Sequence, residues 1–186
     1  MIRRVIAAAM LAVCTCATVA ACGSDKGPTA NGPAIAWSDQ VCKTIDAGAA
    51  KLSQLPAVDP SNPQAAKDSL VVYLGSLSDA LGNVTDGLKT AGAPPVTDGQ
   101  ATLDKAMATL TTTRSTVDTA KSKLQAAPVT DSATFQAAIS EISKVMSSMT
   151  DNEGPAKDLK SNPELAVAFG NAATCQKVEG STAPSN

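Results

Sequence analysis

From Trp37 onward, apolar side chains recur at steps of three and four, the spacing that keeps one face of a helix turned inward. Val41, Ile45, Gly48, Leu52 and Leu55 mark a first helix, ended by the run Pro56-Ala57-Val58-Asp59-Pro60. Ser61-Asn62-Pro63-Gln64 opens a second, with Ser61 as the expected cap, Gln64 reaching back and proline in the first turn. That helix carries Leu70, Leu74, Leu77, Leu81, Val84 and Leu88, the seven-residue repeat of bundles and coiled coils. Gly75, Gly82 and Gly87 interrupt its interior and predict a bend or local loosening.

Thr97-Asp98-Gly99-Gln100 reads as another capping box, opening a third helix to about Ala127. Leu103, Leu110, Val117 and Leu124 recur every seven residues, with Ala106, Thr113 and Ala120 three positions later. The stretch Thr109 to Thr116 is unusually rich in β-branched residues for a helix, and most of these must face solvent or satisfy their hydroxyls on the preceding turn. Pro128-Val129-Thr130-Asp131 repeats Pro95-Val96-Thr97-Asp98 and predicts the same turn used twice. A fourth helix follows with Phe135, Ile142 and Met149, plus Ala138, Ile139, Val145 and Met146, and stops at Asp151-Asn152-Glu153-Gly154-Pro155. Ser161-Asn162-Pro163-Glu164 opens a short last helix bearing Leu165, Ala168, Phe169, Ala172 and Cys175.

These elements predict an all-α fold, an up-down four-helix bundle with a short fifth C-terminal helix tied to helix one by a disulfide. The bundle domain is expected over residues 37–178, with a disordered tail over 179–186. With Cys42 in the first turns of helix one and helix four returning to the same end, the last helix would cross the base and bring Cys175 to Cys42. Alanine occupies 34 positions, so the core is expected to be thin and the helices closely packed.

The N-terminus has a different character. Arg3 and Arg4 precede seventeen uncharged residues, Val5 to Ala21, which end in small side chains before Cys22. This is the layout of a secretory signal. Val19-Ala20-Ala21-Cys22 resembles a bacterial lipobox, whereas Cys14 and Cys16 follow the bulkier Val13 and Thr15. The resemblance implies cleavage before Cys22, a diacylglycerol on its thiol and an acylated new amino terminus. Two other readings are a retained membrane helix and secretion without lipid. The first is short, because seventeen residues rise about 25 Å against about 30 Å of hydrocarbon. Residues 22–36, rich in Gly, Pro and small polar side chains, form the expected lipidated flexible linker after a signal peptide over 1–21.

Loss of the signal leaves 13 basic residues against 17 acidic ones, a balance of −4 that speaks against binding nucleic acid through a basic surface. With Cys22 taken by the lipid, it also leaves Cys42 and Cys175 as a pair in an oxidising compartment, a structural disulfide in preference to a metal pair or redox couple, since CxxC and histidine are both missing. Without histidine there is no Ser-His-Asp or Cys-His pair and no His-containing zinc site. Neither a Walker nor a dinucleotide glycine loop occurs. Asp79 and Asp86, seven apart on helix two, read as a solvated face. The expectation is a chain that is not an enzyme and needs no cofactor.

The whole chain is similar to small envelope lipoproteins of the mycobacterial type, a resemblance whose specific part is the first 22 residues. It implies a chain anchored on the outer face of the cell membrane. Two functions fit: an interaction module for another envelope protein or a cell-wall polymer, through distal loops or the Thr-rich face, or a carrier of lipid or a small apolar ligand. The carrier requires a cavity lined by residues such as Leu74, Leu77, Met107, Met146 and Phe169.

Overall fold

The computed structural model describes residues 29–53, 61–147 and 154–182, with side chains described through Val178. The signal segment, Cys22, Leu55, the run Pro56 to Pro60, Met149 and the turn residues Asp151 to Glu153 lie outside the described residues. Within them the secondary structure is helical throughout: α1 (Gly32–Leu52), α2 (Pro63–Ala91), α3 (Gly99–Ala126), α4 (Ser132–Ser147), α5 (Gly154–Lys160), α6 (Pro163–Asn171) and α7 (Ala173–Thr182).

Three helices start on the same device, an asparagine cap with proline in the first turn. Asn31 Oδ1 accepts from Ala34 N, Asn62 Oδ1 from Ala65 N, and Asn162 Oδ1 from Glu164 N and Leu165 N. The expected cap at Ser61 is therefore displaced by one residue, and Gln64 bonds to Asp68 instead of reaching back. Proline forces the residue before it into an extended conformation. Asn62 (φ −119°, ψ 96°) and Asn162 (φ −79°, ψ 120°) are that residue, so the cap falls on them.

The repeated Pro-Val-Thr-Asp tetrapeptide does not make the same turn twice. Asp131 Oδ1 accepts from Thr134 N, while Thr134 Oγ1 accepts from the amides of Thr130 and Asp131. Asp98 is left-handed (φ 54°, ψ 25°) and makes no side-chain cap bond. The residue three positions on is Ala101 in the first case and Thr134 in the second, and only threonine completes the reciprocal pair. Instead the Thr97 turn bonds across the fold: its amide donates to Glu164 Oε1, and its carbonyl accepts from Asn162 Nδ2.

The spine is the antiparallel pair α2/α3. Lys67 Nζ donates to the carbonyl of Ala127, joining the start of α2 to the end of α3. Helix α1 runs antiparallel along α2, with Trp37 Nε1 bonded to Gly92 O near one end and Gly48 beside Ala80 further along. Helix α4 packs on α3 and the first part of α2, whereas α5 packs on α3, and α6 and α7 on α1. No contact joins α1 to α4 among the described residues.

Two cores result. The first, around Trp37, Val41, Leu88, Leu103, Leu110, Leu165 and Phe169, joins α1, α5 and α6 to one end of the spine. The second, around Leu74, Val117, Ala120, Leu124, Val129 and Ala138, joins α4 to the other end. Ala106 and Ala120 are fully buried, one in each core, as expected for helices closing over small side chains.

The four-helix arrangement thus holds with its fourth position divided. A single helix four does not run to the base: α4 serves the second core and α5 the first. Gly154 at φ +76°, followed by Pro155 without an amide hydrogen, starts a new helix there. The expected fifth helix is likewise two helices, α6 and α7, parted at Ala172 in an extended conformation (φ −80°, ψ 121°). Helix α1 begins inside the expected linker, since Ala34 is buried and Asn31 caps the helix, and α7 extends to Thr182 inside the expected tail. Cys42 consequently lies about 15 Å along α1 and not in its first turns.

Candidate functional site

Cys42 and Cys175 are joined by a disulfide with Cα atoms 5.1 Å apart, across a sequence separation of 133 residues. This confirms the link from helix one to the C-terminal helix. Both are buried, and Cys175 Sγ lies 3.3 Å from the carbonyl oxygen of Ser38. Since a disulfide sulfur carries no hydrogen, that approach is a contact and not a donated bond. Ser38 Oγ, also buried, makes no hydrogen bond.

Beside the disulfide, Asp39 caps α7. Its Oδ1 accepts from Thr174 N at 2.9 Å, and its Oδ2 lies 2.8 Å from Lys43 Nζ. The Lys43 hydrogen bond, followed by the Thr174 bonds, lowers its pKa to about 2. On α5, Asp158 bonds to Thr109 Oγ1 and lies 3.0 Å from Lys105 Nζ. Burial pushes its pKa up, but the Thr109 and Lys105 bonds outweigh that and hold it below the ordinary value. Trp37 meets Phe169 edge-on, with ring centroids 6.3 Å apart. These contacts build the first core. No group of three or more metal-ligating side chains lies together among the described residues.

The five residues expected to line a carrier cavity do not converge. Met107 and Phe169 belong to the first core, and Leu74, Leu77 and Met146 to the second. The divided fourth position separates them. Two concavities among the described residues are open grooves. One, of about 530 Å³, lies between the end of α3 and α4, lined by Ala126, Ala127, Pro128, Ala137, Ala138 and Ile142, with Lys123 and Glu141 at its edges.

The second groove, of about 630 Å³, is polar and runs along the Thr-rich side of α3 beside α2. Thr85, Lys89, Thr111, Arg114, Ser115, Asp118, Thr119, Ser122 and Lys123 line it. Most of its hydroxyls donate to the backbone one turn back: Thr85 to Leu81 O, Thr111 to Met107 O, Thr119 to Ser115 O and Ser122 to Asp118 O. Within the stretch Thr109 to Thr116, Thr111, Thr112 and Thr116 bond to the preceding turn as expected, whereas Thr109 donates to Asp158.

Arg114, which the sequence did not single out, organises that groove. Its Nε donates to the buried Ser78 Oγ at 3.2 Å. Its guanidinium lies over Gly82, where a methyl group in place of the glycine hydrogen would sit 3.1 Å from Nη1. Seven residues on, Lys121 Nζ lies over Gly75 in the same way, at 3.3 Å. Gly87 takes Thr44 of α1, whose Cγ2 would be 2.9 Å from such a methyl group. The glycines of α2 therefore admit neighbouring side chains, and α2 stays one helix from Pro63 to Ala91. The available signal was the matching spacing, with Gly75 and Gly82 on α2 and Arg114 and Lys121 on α3.

The fold is that of a disulfide-linked all-α helical bundle. No protein-family model, no curated protein and no solved structure matches the chain.

Proposed function

We propose that the chain is an exported lipoprotein, anchored through Cys22 to the outer face of the cell membrane and serving as a non-catalytic interaction module of the cell envelope. The observation that carries this reading is the sequence Val19-Ala20-Ala21-Cys22 behind a short cationic start and an apolar run. The partner is an envelope protein or a cell-wall polymer, and nucleic acid is not among the candidates. No described helix is long and apolar enough to cross a membrane.

The divided core favours an interaction module over a carrier. Both long helices are filled by side chains along their shared face, and the grooves are open. The carrier reading retains one specific observation, the apolar groove of about 530 Å³ between α3 and α4.

The test is metabolic labelling of cells with a fatty-acid analogue, followed by crosslinking in intact cells. Label should reach the protein and disappear in Cys22→Ala, which should be released or left unprocessed. Persistence of label on Cys22→Ala would refute the anchor. Capture of a discrete polymer or protein partner supports the module; co-purification of a loose apolar ligand in its place supports the carrier.

A further inference from the structure

We infer that the polar groove beside Arg114 is a binding site for an acidic polysaccharide, a polyhydroxylated chain bearing carboxylates or phosphodiesters. The inference rests on the interaction-module reading and names the chemistry of its partner.

The argument starts from a guanidinium that is held and yet unmatched. Arg114 gives Nε to Ser78 and lies across Gly82, so its orientation is fixed from within the α2/α3 interface. No carboxylate among the described residues forms an ion pair with it, although Asp118 stands one turn further along the same groove. The side chain is nonetheless exposed. A fixed planar fork open to solvent is preorganised for a carboxylate or phosphate, because little rotamer freedom remains to be lost on binding.

Lys89 and Lys123 stand along the same groove and add positive charge, with Lys89 Nζ 3.7 Å from Asp86. The hydroxyls supply the complementary half. Thr85, Thr111, Thr119 and Ser122 direct their hydrogens to backbone carbonyls, so towards solvent they offer oxygen lone pairs. A ligand fitting both halves carries negative charge for the cations and many O–H donors for the lone pairs. Sugar acids combine the two. A groove of about 630 Å³ spread along α3 suits a chain better than a single small anion.

The experiment uses the full-length protein, extracted in detergent, with polygalacturonate as probe and dextran, poly-glutamate and inorganic phosphate as comparisons. Polygalacturonate should bind and weaken with rising salt, and dextran should not bind. Arg114→Gln should lower affinity at least about tenfold, the loss of a charge-assisted bond. Arg114→Lys should restore little, because an ammonium group offers no planar fork. Ser78→Ala keeps every charge but frees Nε, and should lower affinity about threefold, because the guanidinium regains rotamer freedom that binding must then remove. Lys89→Gln lies on the surface and leaves the interface intact, so it reports on the groove even if the Arg114 variants fold poorly.

Polygalacturonate binding unchanged in Arg114→Gln and Lys89→Gln overturns the site. So does equal binding of poly-glutamate, or of phosphate alone. If these arms fail while wild type and Arg114→Gln capture the same crosslinked partner in cells, the groove assignment falls and the interaction module stands. If no partner is captured at all, the module itself falls.

Discussion

Asp39 Oδ1 accepts a hydrogen bond from the amide of Thr174, so a carboxylate in α1 caps α7 less than one helical turn from Cys42. The contact joins residues 135 positions apart in sequence. It gives the C-terminal helix a second attachment, independent of the disulfide and sensitive to acid.

The direction of that sensitivity follows from the lowered pKa of Asp39, about 2 against 3.8 for the ordinary group. A carboxylate whose folded pKa is depressed adds stability above its unfolded pKa and loses it as pH falls through the folded value. The melting temperature of the wild type should decline between about pH 4 and pH 2. Asp39→Asn should begin lower and show a flatter decline over the same interval. Parallel pH profiles for the two proteins would show that Asp39 makes no such contribution.

The disulfide is the larger attachment. Mature protein should contain no titratable thiol at Cys42 or Cys175. The double variant Cys42→Ser, Cys175→Ser should lose about 2–5 kcal/mol in denaturant unfolding. Because both cysteines are buried, native protein should resist mild reductant and react only as it unfolds. Trp37, packed in the same core against Phe169, supplies the fluorescence signal.

Ala106 and Ala120 test how closely the spine is packed. Both are fully buried in α3. Ala106→Leu and Ala120→Leu should each cost about 1–3 kcal/mol by overpacking. Val72, 54% exposed on α2, is the control, and Val72→Ser should stay within about 0.5 kcal/mol of wild type. Unchanged stability in both leucine variants, with lipid retained by the wild type and lost from them, would move the function to a carrier.

Gly99 and Gly170 should respond in opposite directions. A methyl group on Gly99 would lie 2.1 Å from the carbonyl oxygen of Pro94, a backbone clash that no rotamer relieves. Gly99→Ala should therefore destabilise by about 1–3 kcal/mol, comparable to overpacking a core. Nothing lies within 4 Å of the same position on Gly170 in α6, so Gly170→Ala should stabilise by up to about 1 kcal/mol through helix propensity. Chemical denaturation of the two variants beside wild type measures both.

The sequence by itself determined that the chain is helical and which faces turn inward. The seven-residue stripe of α3, Leu103, Leu110, Val117 and Leu124, is buried throughout, and so are Leu165, Ala168, Phe169, Ala172 and Cys175 near the C-terminus. Periodicity reports such faces because burial acts on each turn of a helix in the same way. The disulfide was reached by setting aside the three cysteines of the N-terminal segment, which left Cys42 and Cys175 as the pair. Tertiary structure alone decided how the fourth position is shared between α4 and α5, since a stripe records that a face is covered and not by which element. It decided the caps as well: Ser61 and Asn62 are both good cap residues, and the conformation that Pro63 imposes on its neighbour selected asparagine. The Arg114 groove was the least legible feature. Gly82 stands out in sequence only as a helix interruption and Ser78 and Arg114 not at all, and the antiparallel register of the two helices is what sets the guanidinium over the glycine.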